Sequence, residues 1–363
     1  MGHWQLRDLL HLSPCGRECL LPRGTAVWRH SLKTRLSLRV LPLNWAATSL
    51  AVGCGLAAAG SQSSDLVVWD LATRRVLARR RVSSLVSVNN ALHFSDARGA
   101  GVELIVCNND AEVRTFRVMR GDGEPPSGRR ARGGEDEWAA AAVDDDGDDD
   151  GGGEGDGDGD DGAVLEASAT RFDTAVNYAA VSPAGGRHLC AVGDNHCVWL
   201  ADSGPGGEWR VGRTLRSFGD AVMMCAWSPG GARFAAAGQD GTCCVWDARA
   251  AAPVARLTGR GAPVRSVKFS SGPMDLLAFV EQDGRAHLVD ARMYGTQQTL
   301  MTARSGPEGS GPGTARFGGA QGGLLGAQFS DDGTRFFVGL ETGLTVYTVD
   351  TMRRRAFGDG SVV

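Results

Sequence analysis

Lysine is nearly absent from this chain of 363 residues: Lys33 and Lys268 are the only two, so arginine supplies the other 36 of 38 basic side chains. Alongside so much Ala and Gly, that bias reads as a GC-rich coding sequence rather than selection for guanidinium chemistry. Tyrosine is scarce as well, three residues against nine tryptophans. Thirteen prolines against 52 glycines, with no G-X-Y period, exclude collagen. No apolar run reaches the ~18 residues a membrane-spanning helix needs; the best window, 45–59, is short and rich in Ala and Gly. The first residues, MGHWQLRDLLHLSPCG, lack the basic and apolar regions of a signal peptide. Leu6 stands where myristoylation after Met1-Gly2 wants Ser or Thr.

The chemistry-bearing motifs are missing too. There is no G-x-x-x-x-G-K-[ST], no pair of histidines at i, i+4, and no G-x-S-x-G. Gly53-x-Gly55 lies in a strand-like repeat, where strand packing or a bulge explains it better than a nucleotide cradle. Cys15/Cys19 and Cys243/Cys244 are the only close thiol groupings, and neither has the second ligand pair a zinc site requires. The nine cysteines are odd in number, and Cys54, Cys107, Cys190, Cys197 and Cys225 sit in apolar runs. Reduced, buried thiols and a cytoplasmic or nuclear location are expected. No catalysis, cofactor, metal, membrane or small-molecule substrate is expected.

Charge is unevenly spread. Residues 144–161 hold eleven acidic side chains and no basic one, within a net charge of −4, so the remainder carries +7. Residues 156–160 mimic the start of a calcium-binding EF-hand loop. The pattern fails at Asp161, where Gly is needed, and at Ala167, where Glu is needed. A disordered, solvated insertion over 119–163 is the expectation. Its basic stretch at 129–132 precedes the acidic one. Arg74-Arg75, Arg79-Arg80-Arg81 and Arg353-Arg354-Arg355 read as rim or connector residues without the interleaved aromatics that stack bases.

What the chain does have is a repeat. From Ala175, Ala221 and Pro263 the same grammar recurs: an alternating apolar run ending in Ser-Pro or a variant, a Gly turn, a small apolar run, a Gly/Asp turn, and a third run ending on an aromatic. Units close at Trp28, Trp69, Phe116, Trp199, Trp246, Val289 and Tyr347. The steps fall at 38–47 residues once 119–163 and the Gly-rich 305–320 are set aside, matching a four-stranded propeller blade. Runs of five to seven residues cut by Gly, Pro, Asn or Asp are strands.

The Trp69-Asp70 and Trp246-Asp247 endings, the Ser182-Pro183 and Ser228-Pro229 turns, and the Asp240-Gly241 and Asp283-Gly284 turns resemble WD repeats. Residues 176–194, with Asn108-Asn109-Asp110, also resemble a short domain of unknown function found in a group of fungal WD-repeat proteins. The resemblance implies an all-β fold, a seven-bladed propeller, with blades one to three in 1–118 and four to seven in 164–363. It also implies a protein-interaction scaffold or adaptor. No unit has a Gly-His ahead of its first strand, so the buried Asp-His-Ser-Trp network should be incomplete, with apolar stacking between blades in its place. Either residues 4–7 or 352–357 would close the ring.

Polar groups in loops entering the first strands, and joining second to third strands, would form the binding face. These are Asn44, Gln62, Asn89, Asn90, Asn108, Asn109, Asn177, Asp194, Asn195, His196, Gln239, Arg265, Glu281 and Gln282, with Trp45 and Met223 as apolar anchors. Side-chain amides so repeated suit a peptide backbone, although Asn and Asp also satisfy turns. The partners implied are other proteins. An alternative is a chromatin- or RNA-associated subunit using the arginine-rich rim and the acidic loop.

Overall fold

The computed structural model describes residues 8–13, 16–96, 101–119, 163–301, 315–316 and 323–350. They form seven four-stranded antiparallel sheets. The first blade comprises His11–Leu12, Glu18–Arg23, Ala26–Ser31 and Ser37–Pro42. The second comprises Ala47–Gly53, Leu56–Ser61, Asp65–Asp70 and Val76–Arg81. The third comprises Asn89–Ser95, Val102–Asn108, Glu112–Val118 and Val164–Arg171. The fourth runs Val176–Val181, His188–Gly193, Cys197–Ser203 and Trp209–Arg216, and the fifth Val222–Trp227, Arg233–Gly238, Thr242–Asp247 and Ala255–Thr258. The sixth is Val264–Phe269, Leu276–Glu281, Ala286–Asp290 and Gln297–Leu300. In the seventh, Leu324–Phe329, Arg335–Leu340 and Gly343–Thr348 are joined by Ala315–Arg316 on the outer edge. The only helix among the described residues is a 3-10 turn, Gly272–Met274.

The first strands of consecutive blades pack on one another around the axis, and Leu9 N–H donates to Leu325 C=O (2.8 Å), joining the first blade to the seventh. The apolar cores lie between blades. One cluster combines Leu56, Leu66 and Val68 of the second blade with Leu104, Val106 and Phe116 of the third. Another spans blades three to six. A four-stranded sheet alone leaves both faces wet, and stacking in a closed ring covers them and limits exposed edges.

Three expectations need correction. The boundary between blades three and four does not fall at 163/164. Val164–Arg171 pairs with Glu112–Val118, with Val118 opposite Val164, so the insertion lies within the third blade, between its last two strands. Of the anticipated disordered segment 119–163, residues 120–162 lie outside the described residues, while Met119 and Ala163 at its ends pair with each other. The fourth strand of the seventh blade is Ala315–Arg316, paired with Gly343–Leu344; the segments 4–7 and 352–357 also lie outside the described residues. Strand packing holds at Gly53, which ends its strand and where a Cβ would meet Phe94 at 3.0 Å, but not at Gly55. The two glycines flank Cys54 in the hairpin turn from Ala47–Gly53 to Leu56–Ser61, where Cys54 and Gly55 both have positive φ (56° and 76°), as a tight two-residue hairpin requires.

The closing aromatics divide into two sets. Trp69, Phe116, Trp246, Val289 and Tyr347 sit opposite Ala57, Leu104, Phe234, Leu277 and Phe336, equivalent places in their blades. Trp28 and Trp199 face Leu21 and Ala191, two residues earlier on the third strand. A shift of two keeps the same sheet face, and turns of unequal length hide it in the linear spacing. The hydrogen-bond network is incomplete, as anticipated: the buried Trp246 indole N–H has no partner. Phe218 packs against that ring (6.1 Å) and Phe172 against Trp199 (5.0 Å), each from the loop entering the first strand of the same blade.

Candidate functional site

Each inner strand ends on a serine that opens the first turn, at Ser13, Ser95, Ser182, Ser228, Ser270 and Ser330, with Gly53 in the second blade. Counting back five residues gives Asp8, Thr48, Asn90, Asn177, Met223, Arg265 and Leu325. In blades two to seven that residue is a β-bulge: it is skipped in the pairing of the inner strand with its neighbour. A bulge redirects a side chain and disrupts the ladder locally. Here the redirected side chains connect blades.

Thr48 Oγ1 donates to Asn89 C=O (3.0 Å), Asn90 Nδ2 to Val176 C=O (3.0 Å), and Asn177 Nδ2 to Val222 C=O (3.0 Å). In each case the acceptor is the residue just before the next blade's bulge. Arg265 continues the pattern in reverse, donating to Met223 Sδ (3.0 Å) and, through Nε and Nη2, to Gln282 Oε1 (3.3 and 3.0 Å). Burial lowers the proton affinity of its guanidinium, against the pull of Asp220.

The anticipated binding residues therefore separate into two groups. Asn89, Asn108, Asn177, Met223, Arg265 and Glu281 are buried. Asn89 Nδ2 holds Asp65 C=O (2.8 Å) while its Oδ1 accepts from Asn108 Nδ2 (2.9 Å), and Asn108 Oδ1 accepts from Ser87 Oγ. Glu281 Oε1 accepts from the N–H groups of Arg260 (2.8 Å) and Ala262 (3.0 Å), and its Oε2 pairs with His287 Nε2 (3.0 Å). Asn195 Oδ1 accepts from Cys197 N–H (3.1 Å), and Gln239 Nε2 donates to Asp220 (3.4 Å). Trp45 is half-buried against the core between blades one and two, and Asn90 is half-buried. Asn44, Gln62, Asn109, Asp194, His196 and Gln282 are exposed. The first group stitches the ring; the second forms its solvent-facing surface.

Sequence reasoning missed a cluster at the axis. Asp8 occupies the bulge position of the first blade, and its Oδ2 accepts from Tyr178 Oη (2.7 Å) of blade four and Lys268 Nζ (2.9 Å) of blade six. His11 Nε2 faces both Asp8 C=O (3.1 Å) and Leu50 C=O (2.8 Å) of blade two. Leu12 N–H donates to Gln328 Oε1 (3.0 Å) of blade seven. Thus residues 8–12 touch blades two, four, six and seven. His11, His93, Lys268 and Gln328 all stand two residues before the turn-opening position, where the other blades have Ala51, Ala180 and Ala226. That column of polar residues in otherwise apolar strands was the available signal.

Burial raises the Asp8 carboxyl, but Lys268, His11 and the two hydrogen bonds outweigh it, and the net direction is down. Burial lowers His11, and burial reinforced by Lys268 holds His93 down at about 4. Burial raises the Tyr178 hydroxyl, with Asp8 adding to the effect. The arrangement holds one buried carboxylate between two donors. Beside it lies a cavity of about 10 Å3 lined by Asp8, Thr48, Asn90, Asn177 and Tyr178, among others, the room about one water needs. No group of three or more His, Cys, Asp or Glu able to hold a metal occurs among the described residues. The eight described cysteines are free thiols, seven of them buried.

Comparison with known proteins agrees with the fold. The family model described as "WD domain, G-beta repeat" matches residues 209–247. The "Uncharacterised protein domain (DUF2415)" matches residues 261–301, so the similarity to a domain of unknown function falls on the sixth blade rather than at 176–194. "Uncharacterized protein C4G3.03" of Schizosaccharomyces pombe is 22% identical over 370 residues, covering 98% of this chain and 90% of that protein. A chain in the "Crystal Structure of Mitotic Checkpoint Complex" superposes with a TM-score of 0.67 at 13% identity, covering 96% of this chain and 88% of that one.

Proposed function

We propose that this seven-bladed propeller is a non-catalytic adaptor whose upper face docks peptide segments of partner proteins. A WD-type propeller is in general a scaffold for protein interaction. The carrying observation is the division of labour just described: Asn90, Asn177 and Arg265 on the first strands tie blade to blade, while Asn109, Asp194, His196 and Gln282 project into solvent from the turns joining second to third strands. A surface held this way loses little freedom when a flexible segment binds, which favours affinity. The axial carboxylate supports the non-catalytic reading, because Asp8 is buried and its Oδ2 is already committed to Tyr178 and Lys268.

The test is quantitative affinity purification of the full chain against an Asn109→Ala, Asp194→Ala, His196→Ala, Gln282→Ala variant. The partners recovered with the wild type should fall by about tenfold or more with the variant, and persist when only exposed outer-strand residues are changed. Equal recovery by the upper-face variant would refute the reading.

A further inference from the structure

The excess positive charge of the folded body is concentrated. Residues 16–81, the first two blades less the opening strand, contain eleven Lys and Arg against three Asp and Glu, a net of +8. The three acids are engaged locally. Asp70 Oδ1 holds the N–H groups of Ala72 and Thr73 (both 2.9 Å), Glu18 lies 3.9 Å from Arg29, and Asp65 accepts from Ser61 Oγ (2.7 Å). Lys33, Arg35, Arg39, Arg75 and Arg79 are exposed.

In the middle of this charge is a groove between the two blades, lined by Leu20, Arg29, Val40, Trp69, Leu71 and Arg74. Its apolar floor continues outward. Leu20, Arg29 and Leu38 are direct cross-strand neighbours on three successive strands, so they share one sheet face. Leu38 at the outer lip is 46% exposed, and Leu36, in the turn before it, is 66% exposed. Leucines left in water beside arginines form a surface with a hydrophobic centre and a charged border, the anatomy of an interface.

We infer that this groove docks an acidic peptide segment of a partner protein, with one apolar side chain seated on Leu38, Val40 and Leu71 and flanking carboxylates on the surrounding arginines. The aliphatic lining selects against nucleic acid. Base stacking needs open aromatic faces, whereas Trp69 is 2% exposed and Trp28 is half-buried with the Arg23 guanidinium 6.0 Å from its ring. The groove lies at the end of the blades where third strands turn into fourth strands. The proposed upper face lies at the opposite end, so the two surfaces are separable.

The probe is a fluorescein-labelled peptide with a Leu-Phe pair flanked on both sides by Asp and Glu, titrated with the full chain and followed by anisotropy. Saturable binding is expected. It should weaken about tenfold in Leu38→Ser and in the Arg74→Glu, Arg75→Glu variant, weaken with rising salt, and persist in the upper-face variant. Circular dichroism confirms folding; Leu38→Ser at a half-exposed site leaves it intact. Four results would overturn the inference: no binding; equal binding of a probe with Ser in place of Leu-Phe; tighter binding of a single-stranded oligonucleotide; or binding only after deletion of residues 144–161, which would make the chain's own acidic run the occupant.

Discussion

Replacing Lys268 by Met removes the cation facing Asp8 while leaving the Tyr178 hydrogen bond (2.7 Å) in place. Removing one partner of a buried ion pair destabilises by about 3–5 kcal/mol because the other charge is stranded. The Lys268 side chain retains 22% exposure against 8% for Asp8, so solvent screening places Lys268→Met at about 2–3 kcal/mol. Asp8→Asn strands the ammonium instead, at similar magnitude. The double variant strands neither, so its loss should fall short of the sum by about 1–3 kcal/mol.

The pH dependence gives an independent check. The folded Asp8 carboxyl lies below its ordinary value. Its contribution is therefore complete above the unfolded value of ~3.9 and is lost as pH falls through the lower folded value. In Lys268→Met, burial acts with its main opponent gone, the carboxyl rises toward or past its unfolded value, and the acid-dependent loss shrinks or reverses. Urea unfolding of the wild type, both single variants and the double variant between pH ~3 and ~8 measures both effects. A coupling energy below ~0.5 kcal/mol, together with an acid limb that does not move, would refute the reasoning.

Two further outcomes concern the blades. Trp246 is fully buried and stacked on Phe234 (5.3 Å, 8°), so Trp246→Ala should lose about 3–5 kcal/mol in chemical denaturation. Trp246→Phe should lose only about 1–2, because it also removes the unpartnered indole N–H; equal losses would contradict the orphan assignment. At Gly193, a Cβ would come within 2.2 Å of Ala175 C=O and 3.0 Å of the Trp199 ring. Gly193→Ala should therefore destabilise by about 1–3 kcal/mol, while Gly230→Ala, which meets nothing within 4 Å, should be close to neutral in the same thermal melts.

The blade count and strand content were legible because the Ser-Pro turns, Gly/Asp turns and closing aromatics each mark a fixed stage of one hairpin. Trp246 and Tyr347 were placed correctly by spacing alone. Trp199 was placed two residues off, since its blade takes different turn lengths and a two-residue slip leaves the buried face unchanged. The boundary at 164 was hidden because Val164–Arg171 is half polar and follows a long acidic stretch. At the candidate site, sequence located the loops but could not separate Asn177, which bridges blades, from Asp194, which faces water. Both are turn-compatible residues, and only the bulge decides which turns inward. The Asp8–Tyr178–Lys268 contact joins residues as many as 260 apart and leaves no local trace.

The third blade meets its long insertion through a narrow doorway. Val118 stands opposite Val164, and Met119 N–H donates to Ala163 C=O (2.6 Å), so the two ends of the excursion are held side by side by the ladder itself. Lengthening such an excursion is penalised logarithmically, by about 0.6 kcal/mol per doubling. The doorway is accordingly a place where this lineage could rewrite composition freely, and where a reporter domain could be grafted with the seven sheets undisturbed.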